Sequence, residues 1–289
     1  GGAVAIASAG TLALGSVDAG NLQARAATIG LHDDVTTLGD QVYDGAVVLA
    51  TDVDLEAGGS VDFASTVDGA HRLGVDADGA VQFGGAVGAG TALAGLDVEA
   101  GSFAAASTID VSGDLSIVLT DAAGSMALAA TSAGIGQNGA FRVGGNAYFD
   151  AGTGDVVLDN AGNDFRGAVE LRGGAISIVD ANDLAISRLH SGQDADVRVV
   201  AGGGLTLPAG AIDTGTGALY LAANGGRLVA GAPLAGGEVT LVGGNGITLG
   251  GDVDASTSLH LQSGADVVQD SGRIATPELT GSIAGNARL

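Results

Sequence analysis

The chain has 289 residues, 53 of them glycine, and 33 acids against 10 basic residues give a formal net charge of −23; 28 of the acids are Asp and every basic residue is Arg. Charge of that sign repels phosphate backbones and anionic membranes, which predicts no nucleic-acid partner, and the lack of Cys and Lys excludes a disulfide framework, thiolate metal sites and lysine Schiff-base chemistry. Glycine does not fall at every third position as collagen requires, and 46% apolar residues offer too much surface to bury for a disordered chain.

The sequence begins at Gly1, not Met, and no charged stretch leads into an apolar run, so no signal peptide is expected. No apolar run approaches the ~18 residues of a spanning helix, which predicts no membrane insertion. With an end at Asn286-Ala287-Arg288-Leu289, the sequence reads as a segment excised from a longer chain. Residues 1–42 show no clear period. Tyr43, Phe63, Phe83 and Phe103 then recur at i, i+20, i+40 and i+60, and the same spacing joins Val47, Val67 and Val87, and Val53, Leu73 and Leu93. The period fades again over 104–155, and insertions are expected in both irregular stretches. From there the pairs Val156/Leu158, Ile176/Ile178, Val197/Val199, Leu219/Leu221, Val239/Leu241 and Leu259/Leu261 follow at steps of 20 to 22, with Leu279 next in line.

Each pair lies in a short alternating run such as Glu238-Val239-Thr240-Leu241, bounded by clusters such as Gly244-Asn245-Gly246. Period-2 alternation between turn residues marks strands. A second run starts six or seven residues on (Leu184/Ile186, Leu205/Leu207, Ile247/Leu249), and a third patch follows at Val169/Leu171, Ile212, Leu234 and Val253. Three short strands per ~20 residues predict an all-β right-handed parallel β-helix, one continuous body over 1–289 with about 14 coils. At ~4.8 Å per coil this is a rod on the order of 65 Å. The paired residues point inward, so Tyr43, Phe63, Phe83 and Phe103 are expected to stack like on like in the core.

The residues between the pairs point out: Val157, Ser177, Arg198, Tyr220, Thr240, His260 and Thr280. They share no single chemistry, and a plain solvated face is expected. Asp159, Asn160 and Asp164 stand about one period before Asp180 and Asp183, with Asn163 and Asn182 beside them. Oxygen ligands on neighbouring coils make this corner the candidate calcium site, weak and structural. The competing reading is that these side chains cap their own turns and need no ion. No other cofactor is expected. His32, His71, His190 and His260 have no metal spacing, and the arginines are dispersed rather than gathered beside acids, so no enzyme is expected. Gly202-Gly203-Gly204 and Gly243-Gly244-Asn245-Gly246 follow strands but precede no helix, which removes the phosphate-loop reading.

Tyr43-Asp44-Gly45-Ala46-Val47, Phe83-Gly84-Gly85-Ala86-Val87 and Phe165-Arg166-Gly167-Ala168-Val169 share an aromatic-x-G-A-V core, and Leu259-His260-Leu261-Gln262-Ser263-Gly264 is of the same style. Together these segments resemble the repeat regions of filamentous-haemagglutinin-like exoproteins, the large two-partner-secretion or autotransporter-type adhesins of Gram-negative bacteria. The resemblance implies a right-handed β-helical shaft, exported to the cell surface or beyond. The family's Asn-Pro secretion motifs, its membrane-anchoring barrel and Arg-Gly-Asp do not occur here.

The expected function is thus a non-catalytic shaft segment of a secreted or cell-surface adhesin or filament, spacing or displaying adhesive parts. Its expected partners are a host or neighbouring-cell surface, glycan or protein, or copies of itself end to end. The alternatives are a carbohydrate-binding or polysaccharide-cleaving β-helix, and a filament subunit that stacks through its open ends. Two close carboxylates with an Arg or aromatic on one outward face would favour the carbohydrate reading.

Overall fold

The computed structural model describes residues 1–119 and 134–289. Its strands are short, run parallel and stack as a β-solenoid of about 14 turns, with no helix among the described residues. The chain divides into two compact units, Gly1–Gly152 and Thr153–Leu289.

In the first unit the ladder opens with short turns. Ala3 pairs with Asn21, Thr11 with Thr28 and Val17 with Val35, at steps of 18, 17 and 18. Leu22 pairs with Gln41 at a step of 19, and Gln41 with Val61 at 20. Residues 1–42 therefore carry shortened corners, not the expected insertions. Apolar markers that recur at these shorter steps look aperiodic when the sequence is scanned at a longer one. The insertion expected in 104–155 is present: Ile109 pairs with Phe141 and Leu115 with Ala147, both at a step of 32. Residues 120–133 lie within that step and outside the described residues.

The core of this unit holds the aromatic stack. Tyr43, Phe63 and Phe83 are all but fully buried. Their rings stand 5.1 Å and 4.9 Å apart, 12° and 1° from parallel. Phe103 corrects the expected four-membered stack. Arg72–Phe83 pairs with Gly95–Ala105 through a register shift between Ala77 and Ala80. The step there becomes 23 and then 22, so Phe103 sits on Val81 while Phe83 faces Ala105. The Phe103 ring leans across instead, 6.1 Å from Phe83 and tilted by 58°. The same lengthened turn moves Leu93, which bridges to Val111, while Leu73 pairs with Leu96. Gly88, inside this turn, has φ +70, and a Cβ on it would run into the Asp110 carbonyl of the next turn. Only glycine fits that approach.

In the second unit the predicted register holds. Val156, Ile176, Val197, Leu219, Val239, Leu259 and Leu279 pair in succession, and so do their partners two residues on as far as Leu261, which meets Gly281. The column is buried from Val156 through Leu259, and each large apolar side chain taken from water contributes roughly 1.5–3 kcal/mol. A second column runs Leu184, Leu205, Leu228, Ile247 and Val267, and a third Ile212, Leu234, Val253 and Ile274. Val169 and Leu171 depart from expectation, pairing with Ile186 and Leu189. The strand Leu184–His190 pairs forward through Leu184 and Ala185 and backward from Ala185 to His190, with a bulge at Ser187.

Candidate functional site

Outward chemistry on this scaffold is set by register, because side chains that alternate outward on neighbouring strands meet across the ladder. In the second unit the predicted outward column forms as expected: Val157, Ser177, Arg198, Tyr220, Thr240, His260 and Thr280 pair in sequence. Arg198 lies over the Tyr220 ring at 5.8 Å from its centroid. His260 Nδ1 and Thr280 Oγ1 are 3.0 Å apart.

At the candidate calcium corner Asn160, Asp164, Asp180 and Asp183 already have hydrogen-bond partners. Asp180 is buried and accepts the amide N–H of Phe165 and of Asn182, each at 2.7 Å. Burial pushes its carboxyl above the usual range, against the pull of those two amides. Asp164 accepts from Arg166 at 2.9 Å and from the Asn182 side-chain Nδ2 at 3.2 Å. Asn160 accepts the Gly162 N–H at 2.9 Å through its side chain. Asn163 is fully buried and donates to the carbonyls of Leu158 and Val179, both at 3.0 Å. Asp183 accepts the Gly204 N–H at 2.6 Å, and Asp159 is exposed. Among the described residues no group of three or more His, Asp or Glu is placed to hold a metal ion.

A constellation that sequence reading missed lies on one outward face of the first unit. Gly74 pairs with Asp54 on one side and Asp97 on the other, and Arg72 precedes it by two residues on the same face. The Arg72 guanidinium fills the gap left by the glycine, donating to Asp54 at 2.9 Å and through Nε to Asp97 at 2.7 Å. The Asp97 contact is the main cause of the raised Arg72 pKa. Beside this bridge a second outward column runs Glu56, Asp76 and Glu99, in register on successive turns. Together they line an open depression of about 270 Å³. A scan at period 20 hides it: that period places Leu96 after Asp76, whereas the step of 23 brings Glu99. The arginines dispersed along the sequence are likewise gathered beside acids by the stacking. Arg25 meets Asp44, Arg188 meets Glu170 and Arg288 meets Asp270, at 2.8 to 3.3 Å.

Aspartates immediately before strands form a further pattern. Asp40, Asp52, Asp114, Asp155, Asp196, Asp252 and Asp266 each precede a strand or its first inward residue. Each accepts the backbone N–H of the residue in the same place on the next turn: Ser60, Arg72, Asn146, Ala175, Ala218, Arg273 and Asn286, at 2.7 to 2.9 Å. Asn21 and Ser60 extend one such row through Asp40 N–H and Ala80 N–H. The signal, an Asp directly before an apolar strand start, was present in the sequence.

Residues 104–172 match the family described as repeats of unknown function (DUF5649). No curated protein matches the chain, and no solved structure matches it. The chain is a repeat protein with a β-solenoid fold.

Proposed function

We propose that this chain is a structural shaft segment of a secreted or cell-surface adhesin of a Gram-negative bacterium, one that spaces or displays adhesive parts without catalysing a reaction. The observation that carries this reading is the second unit's inward column, kept in register from Val156 to Leu279 while the outward residues vary freely. Such a pattern constrains stiffness and leaves surface chemistry open. The resemblance to haemagglutinin-like repeats supports the location. Antibodies raised against the segment should label intact producing cells, and partial deletion of turns should reduce attachment to the host surface without stopping export. Labelling seen only after permeabilisation would overturn the reading.

The Arg72 bridge favours a second reading, a carbohydrate-binding or carbohydrate-cleaving β-helix. Two carboxylates flank a guanidinium on one outward face, and three more stand alongside. In that case Arg72 would orient a sugar acid or hydroxyl, with the acids as acceptors or as a general acid–base pair. Release of reducing ends or unsaturated products from a polysaccharide panel, abolished by Asp97→Asn, would establish it. No release from any substrate would leave the shaft reading in place.

A further inference from the structure

Eight of the nine Tyr and Phe rings are buried or half-buried, and Tyr220 is the exposed one, 37% accessible on the outward column of the second unit. Its neighbour on the preceding turn, Arg198, covers part of the ring at 5.8 Å. Arg25, Arg188, Arg273 and Arg288 are among the arginines that pair with a carboxylate, whereas Arg198 lies against this ring. The following turns add Thr240 and His260 in the same register.

We propose that Arg198, Tyr220, Thr240 and His260 form a binding strip for a neutral polysaccharide lying along the solenoid axis. Tyrosine offers an apolar ring face for the C–H face of a sugar and a hydroxyl at its edge. Its Arg partner stays charged and holds its donors in a plane. Thr240 and His260 add groups that both donate and accept, which matches hydroxyls. Successive turns repeat these groups at about 4.8 Å, close to the length of one hexose. The charge pattern selects a neutral chain. Asp196 and Glu238 flank the strip two residues before Arg198 and Thr240 and are exposed, opposing a polyanion. Arg198 itself opposes a polycation. The inference goes beyond the shaft role and shares no residue with the Arg72 depression, so either can fail without the other.

The test is an NMR titration of the whole chain with hexasaccharides of β-1,4-glucose, β-1,3-glucose and β-1,4-N-acetylglucosamine, and with a sulfated hexasaccharide. At least one neutral oligomer should shift the amides of Arg198, Tyr220, Thr240 and His260. Tyr220→Ala should weaken that binding about tenfold or more, the loss of one ring contact, at an unchanged unfolding midpoint. Tyr220→Trp should keep it. No shift with any neutral oligomer, shifts confined to another face, equal affinity in Tyr220→Ala, or a preference for the sulfated oligomer would each overturn the proposal.

Discussion

Aspartate outnumbers glutamate 28 to 5, and the inter-turn hydrogen bonds account for the preference. A carboxylate one methylene from the backbone reaches the next turn's amide with little rotamer entropy to lose, and a longer arm loses more. Two of these groups carry a pH consequence. The Arg72 amide on Asp52 and the Thr216 amide on Asp194 hold both carboxyls below the usual range. Depressed folded-state values give stability that is complete above the unfolded value of about 4 and is lost as pH falls through the folded one. Asp180, shifted upward by burial, acts in the opposite sense and favours the folded state more once protonated. Urea midpoints measured from pH 6 to pH 2 should fall below about pH 4, and the fall should be shallower in Asp52→Asn/Asp194→Asn. An unchanged profile in that variant would count against the amide contacts. A second residue-scale coupling sits in the core. Tyr43 donates to Gln41 Oε1 at 2.8 Å, and Gln41 donates to the carbonyls of Val35 and Glu56. The next two turns place Val61/Phe63 and Val81/Phe83 at the same positions. Either Gln41→Val or Tyr43→Phe alone should cost about 1–3 kcal/mol by orphaning a buried polar atom. The double variant should cost clearly less than the sum, read from a chemical-denaturation cycle.

Among the elements, strand stacks whose turn length stays near 20 were legible in the sequence. Val156 to Leu279 could be aligned by eye because each turn repeats the same apolar pair. Phe103, Leu93 and the Arg72 depression were not legible, for one physical reason. The extra residues of a lengthened turn enter at a corner or bulge, where glycine and polar residues leave no apolar mark. Every assignment beyond that corner then slips by two or three. Shortened turns in 1–42 blur the same count from the other side. Side-chain bridges between turns depend wholly on that register, so none could be paired before it was known. The slip also predicts an energetic difference. Phe83 lies flat against Phe63, so Phe83→Ala removes a stacked ring from a sealed column and should cost about 3–5 kcal/mol. Phe103 meets its neighbour tilted, and Phe103→Ala should cost less. Equal losses in the two variants would contradict the register.

At the scale of the whole molecule, the net charge of −23 is spread over acids that largely serve neighbouring turns. The proposed calcium corner is a test of whether any of it needs an ion. With Asp180, Asp164 and Asp183 already accepting amide or Arg hydrogens, thermal midpoints in EGTA, in millimolar Ca²⁺ and in Mg²⁺ at equal ionic strength should coincide. A rise in Ca²⁺ alone, absent from Asp180→Asn, would establish a site. The regular steps of the second unit have another outcome, at the level of the gene. Leu219, Val239 and Leu259 are evenly spaced, each one whole turn after the last. Removing 219–238 should let Val197 meet Val239, keep Ala218 next to the strand start beside Asp196, and leave a shorter protein whose melting temperature falls by only a few degrees. Removing half that length should prevent folding, since inward positions would then fall on outward ones. Unequal crossing-over between neighbouring repeats is therefore tolerated whenever it adds or deletes a complete turn, and a lineage carrying this sequence can lengthen or shorten its product by recombination without inventing a new core.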